Sequence, residues 1–297
     1  MRTTTLSWMF TAALAAAPTA GCDEDETPSA PETDPLEAPE PAPSSRRFMI
    51  DSDATKVEFL MEAPLESIHG VADRSMQGEL FVDLTDLAAS RGLVKIDLDG
   101  LEIFQRTRES TSDELDEETK NDTQNAHMRT WLQISEDSPA EVRDANRYVQ
   151  FNITRVSDLS ATNVMEMEGA ERVVTATLHG DFRLHGRTTH KSARVELTFS
   201  FEGDEPRTLR ARTVEPIAVG LADHAVRPRS AFDTLAEATL ATLGQKVAEA
   251  APITFELTAR AGAPVDQMPT TAIEASEAAA AAADLGVEGE GATAAGE

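Results

Sequence analysis

The stretch VTATLHGDFRLHGRTTHKSARVELTFSF, residues 174–201, decides the fold of this chain. Its apolar side chains occupy alternate positions before a turn at Gly186 and again after that turn. A strand with this alternation has one apolar face and one polar face. We therefore predict a β-hairpin with one apolar side. The residues on that side are Val174, Ala176, Leu178, Phe182 and Leu184, and after the turn Ala193, Val195, Leu197, Phe199 and Phe201.

The same alternation recurs along the rest of the chain, around residues 57–61, 80–84, 94–98, 149–153 and 253–259. Helical signals are few. We predict helices at residues 124–132, at 138–146 with Ser138 as N-cap and Pro139 as the first helical residue, and at 234–250. About seven or eight amphipathic antiparallel strands with few helices form either a closed barrel or a sandwich. The pattern alone leaves both open.

The N-terminus has the features of an export signal followed by a lipidation site. Arg2 precedes an apolar run at residues 6–17, which is too short to span a membrane as a helix. The sequence TAGC at residues 19–22 resembles the lipobox of bacterial lipoproteins, where the cysteine is acylated after cleavage before it. We predict a lipoprotein signal peptide at residues 1–21 and a membrane anchor at Cys22. Ordinary secretion with an unmodified Cys22 is the alternative.

Composition separates one folded body from two polar ends. Residues 22–46 are acidic and rich in proline, residues 261–297 are rich in Ala and Glu, and neither segment can bury a core. We predict a disordered tether at 22–46, one β domain at 47–260 and a disordered tail at 261–297. The net charge of −27 argues against a nucleic-acid partner, and a single cysteine excludes an intramolecular disulfide. The acidic residues 109–122 are typical of a solvated loop.

Several short motifs occur in the order of one known family. FMID at residues 48–51 leads into the first predicted strand, HMR at 127–129 lies in a predicted helix, and GDFRLHGRT at 180–188 forms the predicted hairpin end. Together they resemble the YceI-like proteins over residues 48–259. Departures from the family pattern are the acidic insertion after Arg106, a diverged segment at 70–77 and the long predicted helix after Phe232.

The resemblance implies an all-β, extended lipocalin-like antiparallel barrel with a few short helices, often periplasmic. It also implies that an elongated apolar interior holds a polyisoprenoid or a similar long-chain amphiphile, without catalytic residues or a cofactor. Simple core packing without a ligand is the alternative for each interior residue. The candidates for the ligand-lining wall are Val57, Phe59, Val82, Leu98, Val149, Phe151, Leu178, Phe182, Val195, Leu197, Phe199 and Phe255.

Charged residues on the hairpin suggest two further hypotheses. Arg183 and Arg187 are candidates for contact with an anionic lipid headgroup, and solvated or cross-strand-paired charges are the alternative. His179, Asp181 and His185 have even spacing and mimic a metal site, but we expect them to face solvent and predict no metal. The chain contains no G-x-S-x-G elbow, so a hydrolase is not favoured.

These observations favour a lipid-anchored protein of the cell envelope that carries, sequesters or senses an isoprenoid or fatty amphiphile. A ligand-free structural or interaction module is the alternative, and a metal-dependent enzyme is a distant third. We expect the membrane to be reached through acylated Cys22. The sequence leaves the choice of inner or outer membrane and the oligomeric state open.

Overall fold

The computed structural model of this protein describes residues 32–226 and 250–265. Strands and two α-helices follow one another, with short 3-10 turns at Leu87–Ala89, Leu98–Gly100 and Ala222–His224. The elements in chain order are β1 Arg46–Ala63, β2 Glu66–Asp73, β3 Met76–Val82, β4 Arg91–Asp97, β5 Glu102–Thr107, β6 Thr119–Lys120, α1 Asp122–Trp131, α2 Ala140–Asn146, β7 Tyr148–Ser157, β8 Glu171–Leu184, β9 Arg187–Glu202, β10 Glu205–Thr213, β11 Ile217–Gly220 and β12 Ala250–Pro264.

Eight antiparallel strands close into a barrel. They follow one another around it in the order β1, β3, β4, β7, β8, β9, β10 and β12, and β12 pairs again with β1. Arg46 of β1 lies opposite Val82 of β3 on one side and opposite Pro264 of β12 on the other. The double pairing of β1 closes the ring of eight strands, and the strands left at an edge of the described sheet are β6 and β11. The all-β antiparallel barrel is thus confirmed, and a sandwich is excluded.

Strand β1 also extends beyond the barrel. Its second half, from Lys56 to Ala63, pairs with β2, and β5 and β6 follow on the far side of β2. The register of β1 with β12 shifts between Ile50 and Thr55, and the pairing with β12 then continues to Phe59. The acidic segment predicted as a loop contributes β6, whose two residues are exposed. The extension lies at the end of the barrel where β1 finishes.

The predicted hairpin is formed by β8 and β9. Leu184 pairs with Arg187, so the connection has only two residues, His185 at φ 51° and Gly186 at φ 70°. Two consecutive positive φ angles define a type I′ turn, whose twist matches that of the strands. All the apolar residues predicted on one side of the hairpin are buried. The period-two reading of this stretch is confirmed.

The helices differ from the sequence predictions in detail. Helix α1 is present, and the side chain of Asn121 caps it by accepting from the backbone N–H groups of Thr123 and Gln124. For α2, the predicted cap is wrong by one residue, because Pro139 itself is the N-cap. Ser138 Oγ instead lies 3.2 Å from Ser135 Oγ, which removes it from the helix terminus. The predicted helix at 234–250 lies outside the described residues except for Ala250, which begins β12.

The described part of the predicted tether, residues 32–45, lies against the barrel, and we call it the N-terminal strap. The backbone N–H of Thr33 donates to Gly186 O, and that of Leu36 donates to Gln150 Oε1. Asn152 Nδ2 donates to Glu37 O. The polar outer face of β7 thus binds a segment that has almost no apolar surface of its own. Disorder is therefore the wrong expectation for residues 32–45. The segment has too few apolar residues to form a core, but its backbone forms hydrogen bonds with the barrel.

Other predicted boundaries shift or lie elsewhere. Strand β12 continues to Pro264, four residues past the predicted end of the domain at Arg260. The signal segment, Cys22 and the tail from residue 266 onward lie outside the described residues. Among the residues that are described, no helix is long and apolar enough to cross a membrane.

Two glycines provide a test of the barrel backbone. Gly78 in β3 has φ 134°, and a Cβ atom there would lie 2.1 Å from the carbonyl oxygen of Leu93 in β4. We expect Gly78→Ala to lower the free energy of unfolding by roughly 2 kcal/mol or more, because strain adds to a backbone clash. Urea denaturation followed by circular dichroism measures this loss.

The matched control is Gly203→Ala in the turn between β9 and β10. Gly203 also has a positive φ, 63°, but nothing lies within 4 Å of the position that a Cβ atom would take there. The cost should be only about 1 kcal/mol, the penalty of the left-handed conformation alone. Equal losses in the two variants would contradict the close approach of β3 and β4.

Candidate functional site

The barrel contains a cavity with about 90 Å³ of space for the centres of water-sized molecules, or about 990 Å³ when all the space between the wall atoms and the solvent at the opening are included. All eight barrel strands and β11 contribute to its wall. Among the described residues the wall is almost entirely apolar, and the exceptions are Ser90, Arg91 and Lys191. The apolar residues are Val57, Met76, Leu80, Val82, Leu87, Val94, Ile96, Phe151, Ile153, Val156, Leu178, Phe182, Leu197, Phe199, Leu209, Ala211, Ile217, Val219, Ile253, Phe255 and Leu257.

The structure brings most of the predicted lining residues together at this cavity. Those that line it are Val57, Val82, Phe151, Leu178, Phe182, Leu197, Phe199 and Phe255. Four others, Phe59, Leu98, Val149 and Val195, do not line it. The ring of Phe59 lies over Gly70 in the extension formed by β1 and β2. Leu98 follows β4 in a 3-10 turn, and Val149 and Val195 are buried in the core without reaching the cavity.

Sequence reasoning missed the part of the wall that β10 and β11 supply. Leu209 and Ala211 in β10 alternate with Arg210 and Arg212, which is the same period-two signal in small apolar residues. Strand β11 has only four residues, and its place beside β12 is set by pairing of Ile217 with Ile253. A four-residue strand carries too little pattern to be recognised before its partner is known.

The two arginines proposed for a headgroup do not line the cavity. Arg183 is only 4% exposed, and its guanidinium donates to the carbonyl oxygens of Thr33 and Ala145. Arg187 Nη2 lies 3.3 Å from Glu32 Oε1. Arg183 alternates with the inward residues Phe182 and Leu184, so its side chain lies on the outer face. Arg187 follows the turn directly, opposite Leu184, and both arginines contact the strap. Contact of these arginines with a headgroup stays a prediction.

Two histidines fasten the segment after β11 to the tip of the β8–β9 hairpin. His224 is fully buried, and its Nδ1 donates to the carbonyl oxygen of Arg187 at 2.9 Å. Its Nε2 lies 3.2 Å from Thr189 Oγ1, which donates to it when the ring is neutral. His185 Nδ1 in turn donates to the carbonyl oxygen of His224 at 3.0 Å. Burial lowers the pKa of both imidazoles, so the neutral forms are favoured.

The even-spaced residues His179, Asp181 and His185 are not brought to one point. His179 stacks on His190 and forms hydrogen bonds with Ser157 and Ser192. His185 is at the turn and contacts His224 instead, so the expectation that it faces solvent is wrong. Its positive φ turns the chain at this point and breaks the strand alternation. Within residues 32–226 and 250–265, no group of three or more His, Cys, Asp or Glu is placed to hold a metal ion.

Comparison with known proteins gives one family match and several distant solved structures. Residues 48–259 match the profile of the YceI-like domain. A polyisoprenoid binding domain from Saccharophagus degradans implicated in plant cell wall breakdown is 14% identical, with a TM-score of 0.42, over 72% of this chain and 98% of that domain. Burkholderia cenocepacia BcnA is 12% identical, with a TM-score of 0.40, over 70% of this chain and 98% of its own. No curated protein matches the chain.

The histidine contacts predict a pH dependence of stability. The pKa values of His224 and His185 lie below the ordinary 6.5 in the folded protein, so the unfolded chain binds more protons as the pH falls below 6.5. The free energy of unfolding should therefore be highest above pH 6.5 and decrease progressively toward the lowered values. Urea denaturation at pH 7.5 and 5.5 measures this change.

A substitution tests whether the imidazole rings of His224 and His185 cause this pH dependence of stability. His224→Gln should reduce the pH-dependent loss, because it removes one of the two buried imidazoles. A free energy of unfolding that stays constant from pH 7.5 to 5.5 would contradict the neutral, buried state of His224.

Proposed function

Because the chain belongs to the YceI-like domain family, we propose that its barrel binds a long hydrocarbon chain, either a polyisoprenoid or a similar amphiphile. The observation that carries the proposal is the cavity wall, to which every barrel strand contributes apolar side chains. Water gains no hydrogen bonds along such a wall, and a hydrocarbon chain gains about 25 cal/mol for each Å² that it removes from water. A chain-like ligand therefore suits the cavity better than a polar metabolite.

We further propose that the protein acts at the cell envelope as a carrier, a sequestering protein or a sensor. The support is the signal-like segment at residues 1–21 followed by Cys22, which stands ten residues before the start of the strap. Acyl chains on Cys22 would anchor the barrel at a membrane, where long-chain amphiphiles are found. The function requires no catalytic residues and no cofactor.

Native mass spectrometry of the purified chain, followed by organic extraction, separates ligand binding from a purely structural role. We expect one apolar molecule to accompany the folded protein and to be recovered in the extract. A barrel that stays empty after purification and also fails to take up N-phenyl-1-naphthylamine, a neutral fluorescent probe, would favour the ligand-free alternative. In that case the cavity is only an imperfectly packed core.

Charge placed inside the cavity should abolish uptake. Phe199→Arg puts an ion on the inner face of β9, and Ile253→Arg does so at a position of β12 that is only partly buried and so tolerates the change better. Both should weaken binding of the neutral probe at least about tenfold, because an unpaired charge in the cavity is strongly disfavoured. Val173→Arg, on the outer face of β8 at 46% exposure, is the control and should bind normally.

Circular dichroism and urea denaturation show whether each variant is folded. Normal probe binding by folded Ile253→Arg would mean that the cavity is not the binding site.

Cys22→Ala tests the anchor independently of the barrel. Metabolic labelling with an alkyne fatty acid should mark the natural chain and not the variant, and the variant should move from the membrane to the aqueous fraction. Labelling that persists in Cys22→Ala would contradict lipidation at this residue. Uptake of the neutral probe should be the same with and without the anchor.

A further inference from the structure

Lys191 occupies an inward position on β9. It precedes Ala193, Val195 and Leu197 by steps of two residues, and it lines the same cavity as Leu197 and Phe199. Its side chain is 17% exposed, whereas its neighbour His190 on the outer face is 60% exposed. Lys191 therefore lies on the apolar side of the hairpin and places its ammonium group at the cavity wall.

Few groups among the described residues offset the hydration that the Lys191 ammonium group loses. Its cross-strand neighbour on β8 is Gly180, which has no side chain to offer. The nearby carboxylate is that of Asp223, with Nζ 3.9 Å from Oδ2, too far for a hydrogen bond. Asp223 is itself 47% exposed and so remains hydrated. A cation that is mostly removed from water needs a closer anion to offset its lost hydration.

The other cation at the wall is arranged differently. Arg91 Nη1 donates to the carbonyl oxygens of Ala88 and Ser90, at 3.0 and 2.7 Å. This nitrogen of Arg91 is thus hydrogen-bonded to the turn before β4. Lys191 and Arg91 share the cavity wall, but only Lys191 lacks a hydrogen-bonded protein partner among the described residues.

We infer that Lys191 recognises an anionic head group on the ligand, so that the barrel prefers acidic amphiphiles to neutral ones. The inference rests on the proposed function, since it requires that the cavity hold the hydrocarbon chain. The shared chemistry is one acidic group, a carboxylate or a phosphate, at the end of a long apolar chain. The chain lies along the apolar wall, and the acid displaces Asp223 as the nearest anion to Lys191.

Displacement of N-phenyl-1-naphthylamine from the purified chain measures the preference. Dodecanoic acid should bind about tenfold tighter than 1-dodecanol, which has the same chain length and no charge. Dodecyl phosphate should bind at least as tightly as the acid if phosphate is the better fit, and less tightly if the site suits a carboxylate. Either order supports an anion site, and the comparison distinguishes the two sources of the anion.

Two variants at the site should move acid affinity in opposite directions. Lys191→Met keeps the length of the side chain and removes its charge, and it should lower the affinity for dodecanoic acid about tenfold while the affinity for 1-dodecanol stays within about twofold. Asp223→Asn removes the competing carboxylate and should raise the affinity for the acid a few-fold. Lys191→Arg should restore most of the preference, because it returns the charge.

Lys56→Met is the matched control. Lys56 lies on β1 next to the inward residue Val57, but it faces outward, pairs with Glu58 at 2.7 Å and is 48% exposed. It should leave both affinities unchanged. If the natural chain binds acid and alcohol equally, or if Lys191→Met weakens both to the same extent, the inference is overturned and the proposed function stands. If no probe or chain binds at all, the proposed function itself fails.

Discussion

The pairing of β1 with two partners is the constraint on which the rest of the structure depends. Between Arg46 and Met49 this strand forms hydrogen bonds with β3 on one side and faces β12 on the other. Without either pairing the sheet would have two open edges, and its apolar face would be exposed to water at the seam. Closure turns that face into an interior wall. The cavity, its opening and the position of every lining residue follow from this one seam between the two ends of the described chain.

The closed barrel divides polar groups between its two surfaces. On the outside, the side chains of Gln150, Asn152 and Arg183 bind the backbone of the N-terminal strap, so an acidic and proline-rich segment is held without a core of its own. On the inside, hydrocarbon covers nearly the whole wall. The exceptions among the described lining residues are Ser90, Arg91 and Lys191. Of the two cations, Lys191 is the one whose ammonium group has no hydrogen-bonded protein partner among the described residues.

The sequence predicts much of this arrangement because the strand period is simple. The β8–β9 hairpin and most of the predicted lining residues lie where alternation places them. The predictions that differ from the structure share a physical cause. Charge alone suggests Arg183 and Arg187 for a headgroup contact, although neither lines the cavity and alternation puts Arg183 on the outer face. Applied consistently, the same alternation puts Lys191 inside, two residues before Ala193. The strap and the four-residue strand β11 carry no periodic signal, so only their partners reveal them.

By itself, the sequence determined that this protein has amphipathic antiparallel strands, a tight turn at Gly186 and an apolar face on each strand, since each of these depends on neighbours within a few residues. Tertiary structure alone decided that the sheet closes through β1, that β11 joins β12, that the strap lies on β7 and that Lys191 meets Asp223. These contacts join residues far apart in the chain, and their partners are selected by the shape of the closed barrel. Local periodicity sets which way a side chain faces, and closure sets what it meets there.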